Sequence, residues 1–210
     1  MTMKSISSVI TTMPKAQSSK TSTEHSSTGY EIALSGTQTE QAIKRQLEVN
    51  NPTELDKSLV SSMESILGSP IRIRDRIRYP QEGGMTVELI GIDIPKDADL
   101  TAIERARVAT TQSMVGLPIK ELEKRLAMLM TLLIKPAQEN IDDVSVRIKA
   151  LATELSKHPA DITIQAIESI KRSNKWWPTY SEFYERIAPY EQKRKLLMLA
   201  LNKKHLELTA

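Results

Sequence analysis

The chain contains no cysteine, so neither disulfides nor thiolate metal sites can stabilise it. Its seven glycines are scattered, and none belongs to a phosphate-binding loop such as GxxxxGK. No apolar run approaches the roughly 20 residues that a membrane span requires. The N-terminus also lacks the apolar stretch of a secretory signal. We therefore expect a cytoplasmic protein that has no membrane partner.

Side chains suited to catalysis or metal binding are few and dispersed. The three histidines, His25, His158 and His205, do not have the spacing of zinc ligands. Asp142 and Asp143 are adjacent, so on a helix they point about 100° apart and are better explained as acids that complement a helix dipole. Neither an HExxH site nor a nucleophile elbow is present. We therefore expect no enzymatic activity, no bound metal and no cofactor.

Charge is nearly balanced, with 29 basic and 26 acidic residues and a net charge of +3. A balance of this kind does not by itself indicate a nucleic-acid-binding protein. Local clusters of cations must carry any such prediction.

The N-terminal segment is rich in serine and threonine, which make up fourteen of the first thirty residues. Such a segment buries too little apolar surface to offset the entropy lost on ordering. The sequence therefore predicts a disordered tail over residues 1–38.

Residues 39–96 combine two predicted helices with a change of periodicity. Helical spacing covers 39–49 and 53–67, and Asn51-Pro52 and Gly68 mark the limits of the second helix. The segment IRIRDRIRY then alternates apolar and basic residues, which is the period of a strand. Residues 80–84 suit a turn, and 85–94 are rich in β-branched residues. A small β-hairpin is predicted here.

Residues 97–210 have helical periodicity throughout, in stripes that need partners. The predicted core positions are Leu122, Leu126, Leu129, Leu133, Val144, Ile148, Leu151, Leu155, Ile162, Ala166, Ile167, Ile170, Phe183 and Ile187. Thr179 and Glu182 have the spacing of a capping box, and Pro189 predicts an interruption before a last amphipathic helix. The predicted fold class is mainly α: a helical-bundle C-terminal domain, a small β-hairpin and a disordered N-terminal tail.

The most unusual local feature is the arginine row formed by Arg72, Arg74, Arg76 and Arg78. On a strand these side chains share one face at about 6.6 Å spacing, close to the phosphate repeat of an extended single strand. They are therefore candidates for binding single-stranded DNA. The alternative is a solvated strand whose positive charge blocks edge-to-edge aggregation.

A second cluster combines both tryptophans with cations and tyrosines. Lys171, Arg172 and Lys175 are further candidates for nucleic-acid binding, because cations interleaved with aromatic rings can stack bases. The candidate partner-binding residues are Trp176, Trp177, Tyr180 and Tyr184. Alternatively, the tryptophans fill the corner where two helices meet.

The stretch KHPADITIQAIESIKRSNKWWPTYSEF, residues 157–183, resembles the small helical module of phage replicative-helicase loaders and inhibitors. The shared features are a Pro-x-x-x-x-x-x-Ala-Ile-x-x-Ile helix, a short basic turn, an aromatic-Pro step and Thr-x-x-Glu. The resemblance lies within residues of about 140–190, and residues 1–115 have no counterpart in it. In that family the unfolded helicase-contacting part follows the helical module, whereas the Ser/Thr-rich segment here precedes it.

The resemblance implies an adaptor without ATPase activity that binds a hexameric replicative helicase and loads or regulates it during phage-type DNA replication. An alternative is a phage or prophage interaction protein of another class, such as an inhibitor of a host system or a transcriptional regulator. A third hypothesis makes the C-terminal helix a homo-oligomerisation surface through its leucines: Leu196, Leu197, Leu199 and Leu201.

Overall fold

A computed structural model of the chain describes residues 34–49, 51–79, 84–134 and 140–210. Helices α1 and α2 span Gly36–Val49 and Pro52–Leu67, and the antiparallel strands β1 and β2 span Arg72–Arg78 and Thr86–Asp93. Five further helices follow: α3 Leu100–Ser113, α4 Ile119–Leu132, α5 Ile141–Leu155, α6 Ala160–Ser173 and α7 Tyr180–Thr209. The predicted mainly α fold with a small hairpin is thus confirmed.

The helix ends form where the sequence supplies caps. The Asn51 side chain accepts hydrogen bonds from the first turn of α2, and Gly68 ends that helix with φ 72°. Asp99 caps α3, and the predicted capping box of Thr179 and Glu182 is present at the start of α7. The short-range signals therefore fix most of the helix boundaries.

Two sequence predictions about boundaries differ from the structure. Helix α1 begins at Gly36, inside the predicted tail, because Ser35 and Gln38 exchange side-chain and backbone hydrogen bonds that cap it. The rest of the predicted tail, up to residue 33, lies outside the described residues. Pro189 does not interrupt the last helix, since α7 runs through it for 30 residues.

The helices enclose two apolar cores that share α7. The first core joins α4, α5 and α6 to the start of α7, where Phe183 and Ile187 are fully buried. The second joins α2, α3 and the base of the hairpin to the later part of α7 through Leu197 and Leu201. Every predicted core position is buried except Ile148, which is partly buried against the first core.

The second core buries most of the predicted oligomerisation surface. Leu197 and Leu201 are buried inside the chain, and Leu196 packs partly against the same core. Only Leu199 among the four leucines faces solvent. The leucine stripe of α7 packs against α3 and the hairpin base of its own chain. Oligomerisation through this helix stays a prediction, and most of the leucines proposed for it are already in contact with that core.

Candidate functional site

The turn between α6 and α7 is held rigidly by polar contacts. The Asn174 side chain donates to Glu182 (2.8 Å) and accepts from Arg186 (3.0 Å). The backbone N–H of Thr179 donates to the same Glu182 carboxylate, and this hydrogen bond lowers the pKa of Glu182. The aromatic residues of the turn are therefore presented in a fixed geometry.

The two tryptophans of this turn have different environments. The backbone N–H of Trp177 donates to the carbonyl of Ile134 (3.1 Å), and the backbone N–H of Ile134 donates to the carbonyl of Lys175 (3.0 Å). This short parallel bridge fastens the turn to the end of α4. Trp177 packs against the first core, whereas the Trp176 side chain is 59% exposed. Of the predicted pair, Trp176 faces outward and Trp177 fills the bundle.

Next to this turn lies the α4–α6 groove, a concave surface of about 450 Å³. Its lining residues are Arg125, Ala127, Met128, Leu129, Thr131, Leu132, Ile167, Glu168 and Lys171. Met128 is 70% exposed and Leu132 is 61% exposed, which is unusual for large apolar side chains on adjacent turns of a helix. Ile134, which follows at the end of α4, connects the groove to the Trp176 turn.

Cations surround the groove and the turn. Arg125 pairs with Glu121 (2.9 Å), and Lys171 pairs with Glu168 (3.4 Å), both along their own helices. The Lys175 ammonium lies 5.9 Å from the centroid of the Trp176 ring, within cation–π range. The surface thus combines an apolar floor with a rim of cations, two of which are paired with glutamates of their own helices.

Tyr180 and Tyr184 contact a different part of the molecule. Both rings stack on or tilt against the buried His158, at centroid distances of 6.2 and 5.9 Å. The Tyr180 hydroxyl lies 2.9 Å from Nε2 of His158, while Nδ1 lies 3.1 Å from Glu191. Lys195 completes the chain with a 2.9 Å ion pair to Glu191. The structure therefore separates the two tyrosines from the Trp176 surface.

Contacts link Tyr180, His158, Glu191 and Lys195 in a row, as in a proton relay. Their chemistry nevertheless favours a structural role. Burial, followed by the influence of Glu154, Tyr184 and Glu191, raises the pKa of Tyr180. The pKa of Glu191 is lowered, so its carboxylate is ionised and can only accept the hydrogen bond from Nδ1 of His158. The arrangement fastens the α5–α6 junction to α7 and does not activate Tyr180 as a nucleophile.

The arginine row is present as predicted, on one face of the hairpin. Arg74 pairs with Asp93 (3.1 Å), and Arg78 pairs with Glu88 (2.6 Å), both across the ladder. Arg72 lies opposite Asp93 and Arg76 opposite Glu88 in the ladder, but among the described residues these two carboxylates form their ion pairs with Arg74 and Arg78. All seven residues of β1 are exposed.

The predicted nucleic-acid-binding residues form two groups and not one. The arginine row belongs to the hairpin, whose base packs in the second core. Lys171, Arg172 and Lys175 lie at the end of α6, beside the α4–α6 groove. The structure does not join the two groups into one basic surface.

Sequence reasoning missed Met128, Leu132 and Ile134 as surface residues. They are apolar positions outside the stripe of Leu122, Leu126, Leu129 and Leu133 that binds the core. A helix needs only one such stripe to pack. The apolar residues of α4 outside that stripe could have indicated a second apolar face that points to solvent.

Within the described ranges, no group of three metal-ligating side chains is assembled that could hold an ion. No described helix has both the length and the low charge content needed to cross a bilayer. Neither protein-family models, nor curated proteins, nor solved structures give a match to the chain.

Proposed function

We propose that the chain is a non-enzymatic adaptor of phage-type DNA replication, which binds a hexameric replicative helicase and loads or regulates it. The observation that supports this proposal is the exposed Trp176 beside the α4–α6 groove. Tryptophan is among the residues that contribute most to protein interfaces when it becomes buried there. The rigid turn that holds Trp176 keeps the entropy cost of docking low.

The composition of the surface favours a protein segment as its ligand. Met128 and Leu132 in the groove, and Ile134 and Trp176 on the adjoining turn, are exposed apolar side chains that water contacts in the free chain. Methionine adapts its shape to a partner at little cost, because its side chain is unbranched and polarisable. The apolar floor fits the apolar face of a partner helix, in the helix-in-groove mode of recognition.

The basic rim defines the charge of that partner helix. Arg125 and Lys171 line the groove, each paired with a glutamate of its own helix, and Lys175 lies on the adjoining turn; all three are at least partly exposed. Acidic residues that flank the apolar face of the partner would pair with these cations at the edge of the interface. The expected ligand is therefore an amphipathic helix with acidic flanks, supplied by the helicase.

The identity of the partner rests on the sequence resemblance. The matching residues 157–183 span α6 and the Trp176 turn, so they include one wall of the groove and its exposed tryptophan. The resemblance names a hexameric replicative helicase as the partner of such modules. The aromatic step of the resemblance, Trp176 to Pro178, follows α6 on the turn next to the groove.

The test is binding of the purified chain to the purified helicase of its host, together with helicase ATPase activity. Trp176→Ala should weaken binding by about 2 kcal/mol or more, which is about thirtyfold in Kd. The matched control is Val146→Ser, because Val146 is equally exposed but lies on α5, outside the groove. Trp176→Ala should leave the urea midpoint unchanged, since the ring is mostly in solvent. No binding and unaltered ATPase activity would contradict the proposal.

The same groove also suits the alternative of a phage or prophage interaction protein of another class. Its apolar floor and basic rim would accept an amphipathic acidic segment from the target of an inhibitor. A transcriptional regulator would instead show sequence-preferring duplex binding with a steep salt dependence. Association with a defined promoter, without helicase binding, would favour the regulator.

A further inference from the structure

We propose that the hairpin is a single-stranded nucleic-acid-binding arm, in which the arginine row contacts successive phosphates. The hairpin packs on the second core at its base, where Ile71 and Ile92 are buried, and the Gln192 side chain of α7 donates to the Leu89 carbonyl in mid-strand (3.3 Å). Further out, Ile77 and Val87 are more than half exposed, and Tyr79 is 75% exposed. The outer half of such a two-stranded ribbon has little apolar surface to bury and adds little stability of its own.

The charge pattern of the arm indicates an anionic ligand. Among the described residues of the arginine face, the four guanidinium groups are accompanied by two carboxylates, those of Glu88 and Asp93. The described part of this face therefore carries more positive than negative charge. Arg72 and Arg76 have no ion-pair partner in the described structure, and four residues of strand separate them by about 13 Å.

The backbone repeat of the row is close to the phosphate repeat of an extended single strand. Adjacent arginines on one face of a strand are about 6.6 Å apart, and an extended single strand repeats its phosphates at a similar distance. Arg72 and Arg76 would bind every second phosphate directly. Arg74 and Arg78 would bind the phosphates between them by exchanging their carboxylate partners, which is inexpensive because both ion pairs are exposed.

A single strand fits this arm better than a duplex does. The major groove, about 12 Å wide, admits a two-stranded ribbon, but both edges of the ribbon then face walls of phosphates. The second edge, β2, carries Glu88 and Asp93, whose carboxylates would face one of those walls. A single strand lying along β1 would contact the arginines and leave the β2 edge, with Glu88 and Asp93, on its far side.

The experiment measures binding of the purified chain to a labelled oligothymidine of about 20 nucleotides and to a duplex of the same length. The double variant Arg72→Gln/Arg76→Gln should bind the single strand about tenfold more weakly at 0.15 M salt. It should also reduce the slope of log K against log salt by about 1.4, because each phosphate contact on a single strand contributes about 0.7.

The matched control is Arg45→Gln/Arg105→Gln, which removes the same charge from exposed positions on α1 and α3. This control should change affinity by less than about twofold, because charges distant from the arm are screened by salt. Asp93→Asn should strengthen binding, since it releases Arg74 and removes a negative charge from the arginine face.

Three results would overturn the inference: an unchanged affinity in the Arg72/Arg76 variant, an equal loss in the control variant, or tighter binding to the duplex. These measurements use the chain alone, without helicase. Failure here therefore leaves the docking proposal for the α4–α6 groove intact, and failure of helicase docking leaves this inference intact.

Discussion

A single buried guanidinium joins four helices at the boundary between the two cores. Arg194 forms a bidentate pair with Asp161 on α6 (2.9 and 2.6 Å) and a 2.7 Å bond to Asp56 on α2. It also donates to the carbonyl of Ser113 on α3 (2.6 Å). Loss of such a group would leave two buried acids unpaired, a strongly destabilising change. This pairing connects residues distant in sequence, so no local pattern predicts it.

Contacts between residues distant in sequence also decide the geometry of the candidate site. Periodicity and capping predict the helix ends on either side of Trp176 and Trp177, but the two residues are adjacent and chemically identical. The backbone bridge to Ile134 decides which ring is buried, and that contact spans more than forty residues of sequence. The sequence therefore located the aromatic turn, while only the structure identifies Trp176 as its exposed side chain.

Glu191 gives a pH-dependent contribution to stability. Burial alone would raise the pKa of this carboxyl, but hydrogen bonds from His158 and Lys195 outweigh burial and lower it. A lowered pKa in the folded state stabilises the protein above the unfolded pKa, and that stabilisation is lost as pH falls through the folded pKa. The fold should therefore lose part of its stability on acidification.

We expect Glu191→Gln to remove this dependence. At pH 7 the variant should be less stable by about 1–3 kcal/mol, because Lys195 and His158 lose a charged acceptor. The difference from wild type should shrink as pH falls below about 4.3, the unfolded value for glutamate. Urea unfolding at pH 7, 5 and 3 measures it. Asp56, whose pKa burial raises, acts in the opposite direction in both proteins and cancels in the comparison. A constant difference at all three values would refute the assignment.

Among the secondary-structure elements, those with a clear period were predicted well. The alternation of isoleucine and arginine predicted β1, and the leucine stripes predicted α4 to α6. The sequence could not show that the outer half of the hairpin lacks a helix to pack on. A strand period reports which side chains share a face, but not what covers that face.

Helix α7 is the element in which local propensity failed. Proline in a helix interior removes one backbone hydrogen bond and costs about 3 kcal/mol. The helix nevertheless continues through Pro189, because Phe183 and Ile187 on one side and Leu197 and Leu201 on the other are buried in two cores. Tertiary packing on both sides outweighs the local cost.

Replacing the proline should reveal that cost. We expect Pro189→Ala to raise the free energy of unfolding by about 1–3 kcal/mol, since Pro189 is exposed and alanine restores the missing N–H. Pro118→Ala is the control, because Pro118 precedes α4 with φ −58°, which already suits proline. That change should lower stability by about 0.4–1 kcal/mol. Equal effects of the two substitutions in urea unfolding would contradict this account of α7.

For the whole molecule, the packing does not follow the sequence divisions. Helix α1 packs against the first core through Ile43 and Leu47, while α2 and the hairpin base share the second core with α3 and α7. Residues 39–96 thus contribute to both cores. At the predicted boundary at residue 96 the periodicity of apolar residues changes from that of a strand to that of a helix. The packing of the two cores continues across it.

At Gly116 the turn between α3 and α4 lies in close contact with the junction between α5 and α6. This glycine pairs with Pro159 in an isolated bridge, and the Ala160 N–H donates to the carbonyl of Val115 (3.0 Å). A Cβ at residue 116 would overlap the carbonyl oxygen of Ser156 and lie 2.9 Å from that of His158. Both obstacles are backbone atoms at the end of α5, so neither can rotate away.

Gly116→Ala should therefore force the α3–α4 turn away from the α5–α6 junction and lower stability by about 3 kcal/mol. The matched controls separate this steric effect from the general cost of replacing glycine. Gly36→Ala, with open space around it and no positive φ, should be nearly neutral, whereas Gly68→Ala should cost about 1 kcal/mol through its φ of 72°. Because the junction also holds His158 against Glu191, the Gly116 variant should lose the pH dependence that Glu191 supplies. If Gly116→Ala unfolds at the same urea concentration as Gly36→Ala, the close approach of the two turns does not hold the molecule together.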